Sequence, residues 1–324
     1  MLMRKTLESR QIAIYFTAIL FGVVVSLIVP MAGLAVNIEP ALALMLFVTF
    51  LQVPLAELQE AALRPRFLGA LAVANFVAIP LLVLCLVQWA PADRTIRLGV
   101  LMVLLTPCID YVVTFSHIGR ADARSLLAST PVLLLLQMLL LPVYLRVFLG
   151  REAGEPIQIG PFVHAFVWLI VIPLTLAAIV QLRVRKGRAL RLKAALDHLP
   201  VPSTALVLFL VFAAVTPQLG SALPSAMSVV PIYLAFALMA PVIGWGVAHL
   251  ARLSIPDIRA ASFSSATRNS LVVLPLTMGV PEAMPLLPVV VVSQTVVELM
   301  ASLAYMKIMP TLGKARETAD ASDQ

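Results

Sequence analysis

Apolar runs long enough to cross a lipid bilayer recur along almost the whole sequence, and they restrict the fold more than any other feature. A membrane-spanning helix needs about 20 mostly apolar residues. Such runs are separated by short loops rich in glycine, proline and charge. They lie near residues 12–32, 38–56, 67–90, 97–118, 122–148, 161–182, 201–218, 227–250, 258–279 and 286–307. The sequence therefore predicts an all-α integral membrane protein with ten transmembrane helices.

Composition supports this class and leaves little room for a soluble domain. Hydrophobic residues make up 61% of the 324 residues and charged residues only 12%, whereas soluble proteins carry about 25% charged residues. The net charge of +7 comes from basic residues in short loops, which membrane topology explains without nucleic-acid binding. We expect a single membrane domain over 1–324, with repeats at about 11–148 and 161–308 and a polar tail at 309–324.

The basic residues divide unevenly between the two sides of the predicted membrane. Loops on the side of the N-terminus carry most of the 23 Lys and Arg residues. The opposite side carries Arg94, Arg97, Arg146 and Arg151. Because cytoplasmic loops are enriched in Lys and Arg, we expect a multi-pass protein of the cytoplasmic (plasma) membrane with both termini in the cytoplasm.

Each half of the chain contains one span with a polar interruption. The fourth span is interrupted by Thr106-Pro107-Cys108-Ile109-Asp110-Tyr111, and the ninth between Ser262 and Ser270. Proline breaks or kinks a helix because it lacks an amide donor and clashes with the preceding turn. Asn75 and Pro80 indicate a further irregularity in the third span. Because five helices per half force the halves into opposite orientations, the pattern predicts two inverted repeats whose broken helices meet near the midplane.

Arg268 is the most costly residue to place in a membrane, at about 2.5–3.5 kcal/mol on insertion scales. It therefore needs a partner, and superposing the two halves lays Asp110 over it. One reading is a fixed ion pair that only holds two helices together; another is that Arg268 attracts an anion or occupies the place of a coupling cation. Polar residues around both breaks can complete the hydrogen bonds: Thr106, Ser265, Thr267, Asn269 and Ser270.

Glu298 lies on a polar stripe of the tenth span. Gln294, Glu298, Ser302 and Tyr305 recur at helical spacing among apolar residues, so they share one helix face, which should point into the bundle. Burial disfavours the ionised carboxylate. We therefore expect Glu298 to load and release a proton near neutral pH; the alternative is a hydrogen-bonded structural glutamate.

Cys108 is the candidate soft ligand. A thiolate selects thiophilic species, and a nearby arginine would favour the thiolate. The alternative is a small buried hydrophobic residue, which is our interpretation of Cys85. The sequence has no cysteine–histidine spacing typical of a metal centre and no nucleophile–base constellation. We therefore expect no cofactor and no enzymatic activity.

The segment from Thr106-Pro107-Cys108 to Ala121-Asp122 resembles the arsenical-resistance (arsenite efflux) permeases of the bile acid:sodium symporter superfamily. In that family a fourth-helix Pro-Cys pair leads through an apolar stretch to a Ser-x-Leu-x-x-Gly-Asp-like turn. Cys108 matches the cysteine that interacts with arsenite, and Glu298 resembles the essential acid of the tenth helix. Arg268-Asn269-Ser270 resembles the Gln-Asn-Ser segment of the sodium-coupled bile acid branch.

The resemblance implies a panel of helices 1, 2, 6 and 7 beside a core of helices 3, 4, 5, 8, 9 and 10, with helices 4 and 9 crossing at their breaks. Two residues depart from the family pattern. Asp110 stands where arsenite permeases usually have an uncharged residue, and Arg268 replaces a glutamine that helps to hold sodium in the sodium branch. An arginine there should repel sodium, which favours proton coupling.

The sequence therefore predicts a secondary transporter in the lipid bilayer that exports arsenite or antimonite, driven by inward proton movement. Cys108 would contact the metalloid transiently beside Asn269, Glu298 would carry the proton, and Asp110 with Arg268 would brace the crossing around Pro107. The alternative is a sodium- or proton-coupled symporter of a small organic anion, with Arg268 as its anchor. A sensor or structural subunit without transport is a third possibility.

Overall fold

The computed structural model describes residues 2–29, 32–52, 64–108, 111–149, 159–185, 196, 198–278 and 286–313. Within these ranges the regular structure is helical, apart from one isolated β-bridge. Asp110 lies outside the described residues, as do most of the basic loop between Arg183 and His198 and the polar tail from Lys314 onwards.

The described chain contains fourteen α-helices. In order they are α1 (Leu2–Ile28), α2 (Ile38–Gln52), α3 (Pro65–Val73), α4 (Ile79–Leu86), α5 (Arg94–Leu104), α6 (Tyr111–Ile118), α7 (Ala123–Leu149), α8 (Ile159–Phe166), α9 (Ile172–Arg185), α10 (Pro200–Val215), α11 (Leu219–Leu250), α12 (Ile255–Ala266), α13 (Ser270–Met278) and α14 (Leu286–Ile308). π-Helical turns at Ala74–Ala78 and Val167–Val171 join α3 to α4 and α8 to α9.

Eight helical stretches of the described chain are long and apolar enough to cross a membrane. The predicted spans at 97–118 and 258–279 are instead divided, the first into α5 and α6 and the second into α12 and α13. Each of these four helices is too short to cross a bilayer alone, since a span needs about 20 residues. The interruptions fall at the positions that the polar residues predicted.

The π-helical turn before α4 has a proline at its end. Pro80, the second residue of α4, has no N–H to donate to the carbonyl of Phe76. The hydroxyl of Tyr144 on α7 donates to that carbonyl instead, at 2.5 Å. Asn75 lies inside this turn and is fully buried. The irregularity predicted from Asn75 and Pro80 is therefore present, and it places a side-chain amide in the interior.

The chain forms two compact units, of which the first comprises Met1–Leu55, Gln158–Ala226 and Leu271–Val292. Within it, α1 packs closely on α10 at Gly22, where an added Cβ would lie 2.7 Å from the carbonyl oxygen of Phe209. Nearby, the Ser26 hydroxyl donates to the carbonyl of Ala213 at 2.8 Å. A small residue thus permits close helix packing, as is common where helices associate in lipid.

The second unit comprises Ala56–Ile157, Met227–Ser270 and Ser293–Gln324. Charged residues join its helix ends: Arg64, which precedes α3, bonds Asp122 at 2.8 Å and Asp257 at 2.6 Å. The buried Arg259 of α12 donates to the carbonyls of Arg120 (3.2 Å) and Leu312 (2.7 Å). These contacts fix the ends of α12 and α14, and therefore the positions of the residues further along them.

Candidate functional site

The first helix break lies between α5 and α6. Pro107 cannot extend α5, which ends at Leu104. The last carbonyls of a helix lack backbone partners, and Thr106 supplies one: its hydroxyl donates to the carbonyls of Met102 (3.1 Å) and Val103 (2.9 Å). The sequence therefore both interrupts the helix and satisfies part of its exposed end.

The second break lies between α12 and α13 and contains no proline. Thr267 adopts an extended conformation directly after α12, and its hydroxyl donates to the carbonyl of Phe263 at 2.8 Å. Serine, threonine and asparagine side chains compete with the backbone for hydrogen bonds, which weakens a helix at such a run. Ser270 begins α13, and its hydroxyl shares a 2.6 Å hydrogen bond with that of Thr295 on α14.

The two breaks pair with each other through their main chains. Pro107 and Arg268 form an antiparallel β-bridge. The Cys108 N–H donates to the Thr267 carbonyl at 3.0 Å, and the Asn269 N–H donates to the Thr106 carbonyl at 2.8 Å. Main-chain groups inside a bilayer cost several kcal/mol each when unpaired, so this bridge stabilises two chain segments that have left their helices.

Arg268 is completely buried, and its guanidinium is surrounded by oxygen atoms. One terminal nitrogen, Nη2, donates at 2.8 Å to Asn75 Oδ1 and to the carbonyls of Ser264 and Ser265, and Nη1 donates to the Leu104 carbonyl at 3.3 Å. Leu104 ends α5, and the two serines lie in the last turn of α12. Helix C-termini carry partial negative charge. Two of them therefore stabilise the buried cation.

Glu298 connects three elements. Its Oε2 accepts from the Arg268 main-chain N–H at 2.6 Å and from the amide of Gln294, one turn earlier on α14. Its Oε1 accepts from the Tyr111 hydroxyl at 2.8 Å. The carboxyl is 2% exposed. Glu298 therefore lies directly at the paired breaks. All four residues of the predicted stripe are buried: Gln294, Glu298, Ser302 and Tyr305.

Cys108 lies in the same junction and is 1% exposed. Its main-chain N–H donates to the carbonyl of Thr267, the residue before Arg268. Neither Cys108 nor Cys85 forms a disulfide, and Cys85 is exposed on α4, so the interpretation of Cys85 as a buried residue is wrong. Cys108, Glu298 and Arg268 are thus all buried at the junction of the two breaks, and their roles as soft ligand and proton site stay predictions.

The remaining predicted residues differ in where they lie. Ser265 packs against α11, where a Cβ added to Gly244 would lie 2.5 Å from its hydroxyl oxygen, and that hydroxyl has no hydrogen-bond partner among the described residues. Asp110 lies outside the described chain, so its pairing with Arg268 stays a prediction. In the described part of the chain, no group of three His, Cys, Asp or Glu residues could hold a metal ion.

Two residues of the junction carry roles that sequence reasoning did not assign. Asn75 accepts from Arg268 and donates to the Ser264 hydroxyl at 3.0 Å. Tyr111 donates to Glu298. For Asn75 the signal was its place beside Pro80 in an apolar span. Tyr111 had no such signal, since a tyrosine after a break is as easily explained by packing.

Long apolar helices and a pair of bridged helix breaks with buried charge define a multi-pass helical membrane protein. Residues 39–223, more than half of the chain, match the model of the Sodium Bile acid symporter family. The chain therefore belongs to this family, whose members are membrane transporters. No curated protein matches the chain in sequence.

Proposed function

We propose that this protein exports arsenite or antimonite across the cytoplasmic membrane in exchange for protons. The observation that carries the proposal is that two adjacent residues, Thr267 and Arg268, are bonded to both candidate residues. The Thr267 carbonyl accepts from the main-chain N–H of Cys108, and the Arg268 main-chain N–H donates to the Glu298 carboxyl. A change at either group therefore acts on the segment that holds the other.

Cys108 provides the metalloid contact. Trivalent arsenic is thiophilic, and soft thiolates bind such centres. When the Cys108 sulfur replaces one hydroxyl of arsenous acid, an S–As bond forms and one water leaves, the thiol proton and the hydroxyl making up that water. The reverse reaction releases the solute. Because a single thiol forms a single such bond, the complex is weak enough to dissociate on the opposite side.

Glu298 carries the coupling proton. Its buried carboxyl is bound by donors from Tyr111, Gln294 and the Arg268 main chain, and intramembrane carboxyls with such partners form the proton sites of many transporters. Sodium is the less suitable coupling ion, because hard cations need oxygen ligands. The oxygens around Arg268 already bind its guanidinium.

We place this chemistry in a ten-helix protein of two inverted five-helix repeats, forming one domain with both termini in the cytoplasm. The uneven distribution of Lys and Arg between loops supports this orientation. In this arrangement the core helices move against the panel, and the site opens alternately to the two sides. Asp110 is assigned to the crossing beside Arg268, where it would brace the two breaks.

The test is arsenite accumulation in cells that lack their own arsenite pump. Expression of the wild type should lower accumulation, and Cys108→Ser should abolish this effect at equal expression. Cys85→Ser is the matched control, since Cys85 is exposed on α4, and it should export as the wild type does. Export by Cys108→Ser at the wild-type rate would exclude the thiol mechanism.

A second candidate is a symporter of a small organic anion, with Arg268 as anchor. Its support is the Nε of Arg268, which is buried and has no hydrogen-bond partner among the described residues. Against it, both terminal nitrogens of the guanidinium are bonded to protein oxygens. Uptake of radiolabelled organic acids into proteoliposomes, with and without a sodium gradient, separates the two functions.

A further inference from the structure

Tyr111 is the first residue of α6, and its hydroxyl donates to Oε1 of Glu298 at 2.8 Å. In the described part of the chain this is the single hydrogen bond to that oxygen. Both side chains are buried. The ring of Phe115, one turn further along α6, lies 5.5 Å from the Tyr111 ring between centroids. The phenol is thus held in place by packing and aimed at the carboxyl.

Glu298 is buried, and both of its carboxyl oxygens accept hydrogen bonds. Its three hydrogen bonds come from the Tyr111 hydroxyl, the Gln294 amide and the Arg268 N–H, which all act as donors. The charged or titratable groups that interact with it electrostatically are the Arg268 guanidinium and, on its own helix, Tyr305. Asp110 precedes Tyr111 in the chain and lies outside the described residues.

We propose that Tyr111 is a positioning residue that links the proton occupancy of Glu298 to the start of α6, three positions beyond Cys108. The hydroxyl donates to the deprotonated carboxylate. When a proton binds Oε1, this hydrogen bond must change. The meaning of this link for transport rests on the proposed function, but the link itself is a property of the folded protein.

The change at Tyr111 follows from which partners can accept a proton. When a proton binds Oε1, the new O–H needs an acceptor, and no covalent bond breaks elsewhere. The Arg268 N–H can only donate, and both it and the Gln294 amide contact the other carboxyl oxygen, Oε2. The phenol oxygen can accept, so the existing hydrogen bond reverses and the Tyr111 hydroxyl proton turns to another acceptor. Proton binding therefore changes the hydrogen bonding at the N-terminus of α6. The hydrogen bond from the Arg268 main-chain N–H to Oε2 of Glu298 can persist.

Infrared spectroscopy of the purified protein during a pH titration tests this link without any transport. The carboxylic-acid band of Glu298 is identified by its loss in Glu298→Gln. Tyr111→Phe removes a donor that favours the ionised form, so the midpoint of this band should move upward by about one pH unit. Tyr144→Phe is the matched control, because its hydroxyl bonds a main-chain carbonyl; its midpoint should equal the wild type's.

A midpoint in Tyr111→Phe equal to that of the wild type would overturn the inference. If this variant does not fold, the wild type alone decides: its difference spectrum on protonation of Glu298 should contain a tyrosine C–O band that Glu298→Gln abolishes. Absence of that band would also overturn it. A shifted midpoint without arsenite export would leave the link standing and remove the proposed function, whereas export with an unshifted midpoint would do the reverse.

Discussion

At the scale of single residues, Arg268 shows how a cation is stabilised in an apolar interior. Its partners are main-chain carbonyls at the ends of α5 and α12 together with Asn75. The sequence indicated that Arg268 needs a partner and offered Asp110. It could not indicate the carbonyls, because every residue has one. Only the pairing of two helix breaks decides which of them become available.

Replacing Arg268 should destabilise the protein strongly. Arg268→Gln leaves buried carbonyls without donors, and we expect a loss of about 3 kcal/mol in the free energy of unfolding. Arg268→Lys keeps the charge but loses the planar array of donors, so its loss should be smaller. Thermal unfolding in detergent measures both. Arg66→Gln, at an exposed position on α3, is the control and should unfold at the same temperature as the wild type. An unfolding temperature of Arg268→Gln equal to that of the wild type would contradict the assigned role.

At the scale of helices, both interruptions were predictable in position and different in cause. Pro107 breaks its helix by the absence of an amide donor. The break at Thr267 depends on a run of small polar residues, whose side chains compete with the helix backbone for hydrogen bonds. A hydrophobicity profile shows this run only as a less apolar part of the span. The antiparallel bridge between Pro107 and Arg268 was harder to predict from the sequence, since it joins segments far apart in the chain. The predicted inverted repeat suggested that the breaks meet, but not which atoms pair.

The packing of α11 on α12 should depend on one glycine. In Gly244→Ala the new Cβ would lie 2.5 Å from the Ser265 hydroxyl oxygen and 2.8 Å from the Ala261 carbonyl oxygen. We expect a loss of about 1–3 kcal/mol in stability, because overpacking separates well-packed helices. Gly246→Ala is the control, since nothing lies within 4 Å of its added Cβ.

The same variants test the link between packing and transport. Moving α12 away from α11 shifts the segment that ends at Thr267, so Gly244→Ala should also slow the proposed arsenite export. Thermal unfolding and export are measured on the same preparations. A Gly244→Ala protein as stable and active as Gly246→Ala would show that this close approach is not needed.

At the scale of the whole molecule, hydrophobicity predicts most of the helical spans, whereas the orientation inferred from loop charge stays a prediction. Eight described stretches qualify as spans, and their positions follow from runs of apolar residues that lipid requires. It was harder to predict which of the two compact units each segment belongs to. Residues Leu271–Val292 belong to the first unit, although Ser270, the first residue of α13, belongs to the second. When a helix is apolar on all sides, its sequence does not indicate which other helices it packs against.

Proton movement driven by an arsenite gradient across proteoliposomes tests the proposed exchange most directly. With equal sodium on both sides and a pH dye inside, arsenite added outside should make the lumen alkaline with the wild type and with Cys85→Ser. Cys108→Ser and Glu298→Gln should give only the signal of protein-free liposomes. No proton movement with the wild type, an unchanged signal with Glu298→Gln, or a requirement for a sodium gradient would each contradict metalloid–proton exchange at the paired breaks.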